Sequence, residues 1–317
     1  MKHAIEALRS AGSVAMVSHR DPDGDTIGSA IALGIGLERV GKRVTFHCAD
    51  PVPEAFRFLP TTSRFEQAPP AAPGLVVTVD FGDASRAKFA LPPSVPLLNI
   101  DHHATNGRFG TFNLVDAASP ATAELVARLI DAAQLPWTPE MATAALLGIM
   151  TDTGSFQFPN TNPECHRIAA RLLEAGADLP AITTNVFRTR PFAGIKLFGI
   201  AFERLQSELA GRLVHTWVRE QDFITVGARS EDVSGLIEQV ARSKGMRVAI
   251  LFNEEVPGEI KVSIRTSAEP PSVDASTLAA AFGGGGHVRA AGAMVRGSLD
   301  EVRSRVLAEA RALVAER

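Results

Sequence analysis

The chain has 317 residues, of which 45% are hydrophobic and 21% charged, with a formal net charge of −3. This charge argues against a protein that tracks long nucleic acid across a wide basic surface, while short anionic substrates remain open. The length predicts two domains. No stretch approaches eighteen uncharged apolar residues, the N-terminus has no signal-peptide core, and Cys48 and Cys165 are too few for a disulfide framework. We therefore expect a cytoplasmic protein.

The first half of the chain alternates strand-like and helix-like segments. Strands are predicted at residues 14–18, 43–47, 75–79 and 95–100, and the first of them is an uninterrupted apolar run typical of a buried parallel strand. Helical periodicity occupies residues 25–39, 121–133 and 139–150. This alternation predicts an α/β domain with a mostly parallel sheet, placed at residues 1–182. Ligands of such sheets collect beyond the carboxyl ends of the strands.

After a predicted linker at residues 183–200, the pattern changes. Strands are predicted at residues 213–218, 247–252 and 259–264, and the last two form a hairpin with a Pro257-Gly258 turn. Helices are predicted at residues 233–241, 273–282 and 299–314. The sequence therefore predicts a smaller α+β domain at residues 201–317.

Acidic and imidazole side chains follow four apolar runs of the first domain. They are His19, Asp23 and Asp25, then Asp80, then Asp101, His102 and His103, and finally Asp152. Neighbouring carboxylates repel each other unless cations neutralise them, and ligands rich in oxygen with a few imidazoles suit manganese or magnesium better than zinc. A two-metal hydrolytic site needs a bridging carboxylate, for which Asp80 is the natural candidate.

A glycine run in the second domain is the other unusual feature. Gly283 to Gly286 precede His287, and consecutive glycines allow backbone N–H groups to approach an anion closely. The run therefore predicts a phosphate-binding segment, to which His287 adds a donor. Arginines of the first domain and of the predicted linker are weaker candidates for phosphate contacts: Arg86, Arg108, Arg188 and Arg190.

Together these motifs resemble the DHH phosphoesterase superfamily, named for the Asp101-His102-His103 signature, with a C-terminal DHHA1 domain that carries the glycine run. The resemblance spans nearly the whole chain. It is strongest to the two-domain bacterial members that degrade very short RNA and dephosphorylate 3′-phosphoadenosine 5′-phosphate (pAp). It implies two Mn²⁺ ions, with Mg²⁺ as an alternative, and hydrolysis of short RNA or DNA oligonucleotides to mononucleotides and of pAp to AMP and phosphate.

The resemblance also implies roles for individual residues. His19 and Asp23 would hold one metal and Asp25, His102 and Asp152 the other, with Asp80 shared. His103 would contact the scissile phosphate or act as an acid, and Asp101 would orient His102. Asp21 is given no role. Four residues of the glycine run and one arginine would bind the substrate's other phosphate: Gly284, Gly285, Gly286, His287 and Arg265.

Other functions stay open at this point. A RecJ-like single-strand exonuclease shares the catalytic domain but normally carries an additional oligonucleotide-binding fold. A family II pyrophosphatase lacks the glycine run, and a cyclic-dinucleotide or pApA phosphodiesterase usually has membrane and sensory segments. A non-catalytic nucleotide-sensing module would be expected to lose metal ligands. Long duplex nucleic acid and membranes are not expected partners, and the sequence leaves the oligomeric state open, a homodimer included.

Overall fold

The computed structural model describes residues 1–269 and 273–315. The chain divides into two compact units, Met1–Thr189 and Arg190–Arg317. No helix within the described residues has the length and apolar content needed to cross a membrane.

The N-terminal unit is built on one sheet of six parallel strands. These strands are β1 (Ser13–Val17), β2 (Arg43–His47), β3 (Phe65–Glu66), β4 (Leu75–Val79), β5 (Leu97–Asp101) and β6 (Phe112–Val115). Their order in the sheet is β3-β2-β1-β4-β5-β6. The chain therefore adds β2 and β3 on one side of β1, and then β4, β5 and β6 on the other side. The order in which the chain adds strands thus reverses between β1 and β4. The carboxyl ends of these two strands border the crevice in which such sheets bind ligands.

Helices cover one face of this sheet. They are α1 (Lys2–Ser10), α2 (Gly24–Arg39), α3 (Thr122–Ala133), α4 (Pro139–Asp152), α5 (Pro163–Glu174) and α6 (Leu179–Ile182). In β1, Val14 and Met16 face the helices, whereas Val17 packs with Phe81 and Ala87 on the opposite face. Both faces of the strand are therefore buried, which explains its uninterrupted apolar run.

Glycines bring α2 and α4 into close contact. A Cβ atom on Gly28 would lie 2.2 Å from the carbonyl oxygen of Ala144. A Cβ atom on Gly148 would lie 2.6 Å from the Cβ of Ala123 and 2.7 Å from the Asp25 carboxylate. The helices can approach this closely only without side chains at these positions, and their contact fixes Asp25 against α4.

The C-terminal unit has a mixed sheet of six strands in the order β11-β12-β10-β9-β8-β7. The strands are β7 (Gln206–Glu208), β8 (Leu213–Arg219), β9 (Val248–Val256), β10 (Glu259–Thr266), β11 (Gly285–His287) and β12 (Ala290–Arg296). The helices are α7 (Phe192–Glu203), α8 (Glu220–Val226), α9 (Leu236–Val240), α10 (Ala275–Ala280) and α11 (Leu299–Ala315). Strands β8 and β9 are parallel and the other neighbours are antiparallel.

Two cores lie on opposite faces of this second sheet. Helices α10 and α11 cover one face, and α7 and α9 pack on β8 and β9 across the other. Part of that second face carries exposed residues. We call the following residues of β10, β11 and β12 the open face: Lys261, Ser263, Arg265, Ala290, Gly292, Met294, Gly285 and His287.

The predicted fold classes, α/β followed by α+β, are confirmed. Several elements of the structure were not predicted from the sequence, among them α1, β6, α5, α8 and β12. The unit boundary after Thr189 falls within residues 183–200, the predicted linker. Most of that segment is helical, because Leu197 and Phe198 of α7 are buried in the core of the C-terminal unit.

Candidate metal centre and phosphate-binding face

Acidic and imidazole side chains converge at the carboxyl edge of the parallel sheet. His19 lies two residues beyond β1, Asp80 directly follows β4, and His102 directly follows β5. Asp25 lies in the first turn of α2, and Asp152 is the last residue of α4. With Asp23, these side chains form what we call the acidic cluster: His19, Asp23, Asp25, Asp80, His102 and Asp152.

Asp80 lies at the centre of the acidic cluster. It is 2% exposed, and its backbone is left-handed with a φ of 70°. Its Oδ2 atom lies 3.4 Å from His19 Nε2, and its Oδ1 atom lies 3.5 Å from His102 Nε2. Thr122 donates a hydrogen bond of 2.9 Å to Oδ1. The two oxygens of one carboxylate therefore face two different imidazoles.

His19, Asp23 and Asp80 form the first group of potential metal ligands, with ligand atoms within 4.8 Å of one another. His19 Nε2 lies 3.7 Å from Asp23 Oδ1. The same Asp23 oxygen accepts N–H bonds of 3.1 Å from Asp25 and Thr26, which makes Asp23 the N-cap of α2. A capping aspartate of this kind has a fixed orientation.

Asp25, His102 and Asp152 form the second group, also within 4.8 Å of one another. His102 Nε2 lies 3.1 Å from Asp152 Oδ2. Asp25 is fully buried, and its oxygens accept backbone N–H bonds from Thr122, at 2.6 Å, and Ala123, at 2.8 Å. The Asp25 carboxylate thus satisfies two of the otherwise unpaired donors at the start of α3.

Backbone carbonyls orient both imidazoles. His19 Nδ1 lies 2.7 Å from the carbonyl oxygen of Arg20, and His102 Nδ1 lies 3.2 Å from that of Ser119. When Nδ1 carries the proton, each ring presents Nε2 to the carboxylates, which is the tautomer that a metal ligand requires. The guanidinium of Arg86 also lies beside the His19 ring, 3.1 Å from Nδ1.

The pKa values within the acidic cluster show poorly compensated negative charge. Burial raises the pKa of Asp25 well above its usual range, and the charges of Asp80 and Asp152 raise it further. Burial alone would lower the pKa of His19, but Asp23 and Asp80 raise it to about 10. The pKa of His102, likewise buried, is raised to about 9 by Asp152 and Asp80. The imidazoles thus hold protons that a cation would replace.

The donor set fits a divalent cation. Ligand atoms bound at about 2.1 Å to one ion are about 2.9–3.4 Å apart in octahedral or tetrahedral geometry. The contacts of His19 and His102 with the three nearest carboxylates span 3.1–3.7 Å, which is close to this spacing. Four carboxylates and two imidazoles favour Mn²⁺ or Mg²⁺ by their chemistry.

The expected role of Asp101 is wrong in one respect. Asp101 Oδ1 lies 2.7 Å from the ring Nδ1 of His103, not from the ring of His102. The backbone N–H of His102 donates to the same oxygen, which turns the His102 ring away toward Ser119. Asn106, which the sequence did not single out, donates to Asp101 Oδ2 at 2.5 Å. Asp101 therefore orients His103.

His103 lies at the rim of the acidic cluster. Its side chain is 33% exposed, and its Nδ1 lies 3.8 Å from Asp80 Oδ1. The carboxylate of Asp101 raises the pKa of His103 above its usual range. With Nδ1 bonded to Asp101, the Nε2–H group is the part of the ring left to meet a substrate.

Three of the predicted phosphate-binding residues of the second domain, Arg265, Gly285 and His287, lie on the open face, whereas Gly284 and Gly286 do not. His287 of β11 pairs with Ala290 of β12, which pairs with Arg265 of β10. Residues directly opposite in neighbouring strands point to the same side of a sheet, so His287 and Arg265 flank the small Ala290. Arg265 is bonded to Glu238, with NH2 2.6 Å from Oε1, and its side chain is 30% exposed.

The glycine run differs from the expected anion-binding loop. Gly283 has a φ of 74° and leads into the edge strand β11. A Cβ atom on Gly284 would lie 2.2 Å from the Gly292 carbonyl oxygen, and one on Gly286 would lie 2.6 Å from that of Ala290. Close strand pairing thus accounts for two of the four glycines. Gly285 is exposed, and a Cβ atom added to it would meet nothing within 4 Å, so it borders free space on the open face.

Comparison with known proteins places the chain in a family. Its residues 13–149 match the family described as the DHH family, N-terminal domain, and residues 213–316 match the DHHA1 domain. A bifunctional oligoribonuclease and PAP phosphatase from Thermus thermophilus is 39% identical over 315 residues, covering 97% of this chain and 92% of the relative. A protein of the same name from Bacillus subtilis is 25% identical over 317 residues, covering 98% of each chain.

The fold is also shared with a solved structure. An exopolyphosphatase-related protein from Bacteroides fragilis has a TM-score of 0.87 and 24% sequence identity, covering 99% of this chain and 97% of that one. The two domain matches cover a large part of each half of the chain, and the Thermus relative spans nearly the whole of it. The chain therefore belongs to the DHH family and carries a C-terminal DHHA1 domain.

Proposed function

We propose that this chain is a metal-dependent phosphoesterase that hydrolyses short oligonucleotides, about two to five nucleotides long, to mononucleotides and pAp to AMP and phosphate. The names of the Thermus and Bacillus relatives support both substrates. The structural observation that carries the proposal is Asp80, whose Oδ2 atom faces His19 of the first ligand group and whose Oδ1 atom faces His102 of the second. One carboxylate shared between two cations is the arrangement of two-metal hydrolytic sites.

In this proposal the acidic cluster holds two Mn²⁺ ions, with Mg²⁺ as the alternative. His19, Asp23 and Asp80 hold one ion, and Asp25, Asp80, His102 and Asp152 hold the other. Bound there, the ions lower the pKa of a coordinated water and offset phosphate charge. The carbonyl oxygens of Arg20 and Ser119 keep the two imidazoles aimed at the ions.

His103 supports the chemistry without holding a metal. Asp101 fixes its ring and favours its protonated form, so that Nε2–H donates to a phosphate oxygen or to the leaving group. Asn106 holds Asp101 in turn. A fixed donor of this kind costs no reorganisation when charge develops on the substrate.

The open face binds the second phosphate of the substrate. Arg265 and His287 supply donors on either side of Ala290, and Gly285 leaves room for a phosphate beside them, whereas Gly284 and Gly286 allow the close pairing of β11 with β12 that positions His287. We assign the catalytic DHH domain to residues 1–182, the linker to residues 183–200, the DHHA1 domain to residues 201–317, and the enzyme to the cytoplasm.

A substrate panel on metal-stripped and metal-reconstituted protein tests the proposal. The panel contains pAp, pApA, short RNA and DNA, a twenty-nucleotide strand, pyrophosphate and cyclic di-AMP. We expect turnover of pAp and short oligonucleotides that chelation abolishes and Mn²⁺ restores, with about two Mn²⁺ per chain by elemental analysis. Activity restricted to pyrophosphate or to the long strand would contradict the proposed function.

A further inference from the structure

The loop that follows α4 presents an exposed aromatic ring a short distance along the chain from Asp152, the member of the acidic cluster that ends this helix. Phe158 lies six residues after Asp152 and is 51% exposed. Three consecutive residues of the loop, Gly154, Ser155 and Phe156, have left-handed backbones, with φ values of 55°, 57° and 66°. Bulky residues adopt this conformation rarely, and the surrounding structure must enforce it.

Hydrogen bonds return this loop to the end of α4. The N–H of Ser155 donates to the Met150 carbonyl at 2.7 Å, and that of Phe158 donates to the Thr153 carbonyl at 2.9 Å. The Asn160 amide donates to the carbonyl oxygens of Asp152 and Pro120, both at 3.1 Å. The loop is therefore fastened to the backbone of a metal-ligand candidate.

The Phe158 ring is held without being covered. A Cβ atom on Gly154 would lie 2.4 Å from the ring, so one side of the ring rests on the glycine backbone. Phe156, by contrast, stacks on His166 with ring centroids 4.9 Å apart. A large apolar side chain that is held in place and half exposed, in a loop bonded to the backbone of Asp152, has the properties of a binding platform.

We propose that Phe158 stacks on the nucleobase of the nucleotide whose phosphate lies at the acidic cluster. This inference rests on the proposed function, because a nucleotide substrate brings a flat π-system close to any phosphate held there. Stacking on an aromatic ring is tolerant of sequence, since every base has a π-face. The Phe158 platform would thus select for nucleotides over other phosphoesters without selecting one base.

A cavity of about 590 Å³ elsewhere in the N-terminal unit is a less suitable site for the base. Its lining includes Asp50, whose carboxylate accepts the backbone N–H of Asp21 at 2.8 Å, and Gln67. The aromatic ring in its wall, Phe65, packs against Phe46 with centroids 5.4 Å apart. The cavity therefore offers polar groups but a less exposed stacking surface than Phe158.

Kinetics with and without a base test this inference. The full chain with Mn²⁺ is assayed on pAp and on the same ribose bisphosphate lacking adenine, as wild type, Phe158→Ala, Phe158→Trp and Leu173→Ala. Leu173, 43% exposed on α5, controls for the loss of an exposed apolar side chain. We expect Phe158→Ala to lower kcat/KM for pAp about 10-fold and leave the base-free substrate unchanged. Phe158→Trp and Leu173→Ala should retain the preference for pAp.

Fluorescence gives a readout independent of turnover. The chain contains two tryptophans and no tyrosine, so Phe158→Trp adds a third reporter. Stacking on adenine should quench the added emission when AMP is titrated, and wild type should not show this change. An unchanged preference for pAp in Phe158→Ala, or no added quenching in Phe158→Trp, overturns the stacking role. If Gln67→Ala loses the preference for pAp over the base-free substrate, the base binds in the cavity instead. Failure of wild type to hydrolyse pAp would contradict the proposed function.

Discussion

The acidic cluster buries its central charged groups, whereas the open face leaves its charged groups accessible to solvent. Asp25, Asp80 and His19 are at most 3% exposed, and each is oriented by backbone or side-chain partners. On the open face, His287 and Lys261 are exposed, and Arg265 is fixed mainly by its bonds to Glu238 and to the Ile264 carbonyl. Reactive groups need fixed positions and a site with little water, whereas a phosphate clamp must be reached from solvent. Variants of the acidic cluster should therefore mainly lower turnover and metal binding, whereas variants of the open face should mainly change substrate preference.

Loss of the shared carboxylate should have the largest effect. Asp80→Ala removes the group that faces both ligand sets, so we expect turnover to fall at least about 1,000-fold and bound Mn²⁺ to decrease. Asp83→Ala is the matched control. Asp83 lies three residues after Asp80, is exposed, and caps the short helix Ala84–Ala87. Kinetics and elemental analysis check both. Near-normal activity with both metals retained would refute the bridging role of Asp80.

Removing the His103 side chain should lower the rate of hydrolysis without changing the amount of bound metal. We expect His103→Ala to lower kcat about 100- to 10,000-fold while metal content stays at the wild-type level. Asp101→Asn should show a smaller loss of the same kind, because the His103 ring keeps a partner but loses the negative charge that raises its pKa. A drop in bound metal in His103→Ala would identify His103 as a ligand.

Variants of the open face should change substrate preference. Arg265→Ala should lower kcat/KM for pAp and dinucleotides about 10- to 100-fold, because charge-assisted hydrogen bonds to phosphate are lost. The wild type should prefer dinucleotides to a twenty-nucleotide strand, and this variant should narrow the difference. Arg296→Ala, at the other end of the sheet, is the control. Faster degradation of the long strand by wild type would favour a RecJ-like exonuclease.

Helix packing gives a further contrast between the units. Gly148→Ala should destabilise the fold by about 1–3 kcal/mol, because the new methyl group would collide with Ala123 and with the Asp25 carboxylate. The matched control is Gly199→Ala in α7, where no atom lies within 4 Å of the added Cβ. That change should be neutral or stabilising by up to about 1 kcal/mol. Thermal unfolding measures both, and equal effects would contradict the packing role of Gly148.

The stability that His19 and His102 contribute should depend on pH when metal is absent. The pKa values of His19, at about 10, and His102, at about 9, exceed the ordinary value of 6.5. The metal-free folded state therefore binds protons that the unfolded chain releases, so the contribution of these two imidazoles is fully present below pH 6.5 and is lost as pH rises through 9 to 10. With Mn²⁺ bound, the imidazoles are deprotonated and this loss should disappear. Melting temperatures from about pH 6 to 10, with EDTA or with Mn²⁺, test the difference.

The sequence predicted the N-terminal unit better than the C-terminal one. Strands β2 and β4 match their predicted ranges, and the apolar run of β4 ends at Asp80, which begins a loop next to the acidic cluster. The contacts that orient the site were not predictable. Ser119 and Arg20 contribute backbone carbonyl oxygens, and the amino-acid type of a residue does not indicate where its carbonyl points. The Thr122 hydroxyl contacts Asp80 only after α3 docks on the sheet. The glycine run suggested a loop because strand pairing of β11 depends on a partner further along the chain.

The left-handed backbone of Asp80 restricts which amino acid can occupy the shared position. Its φ of 70° disfavours residues with bulky or branched side chains, whereas aspartate and asparagine tolerate this region comparatively well. Asparagine would keep the shape and lose the charge, and glutamate would keep the charge but add a methylene group to a fully enclosed site. The backbone that follows β4 therefore favours aspartate at this position over longer, branched or uncharged residues.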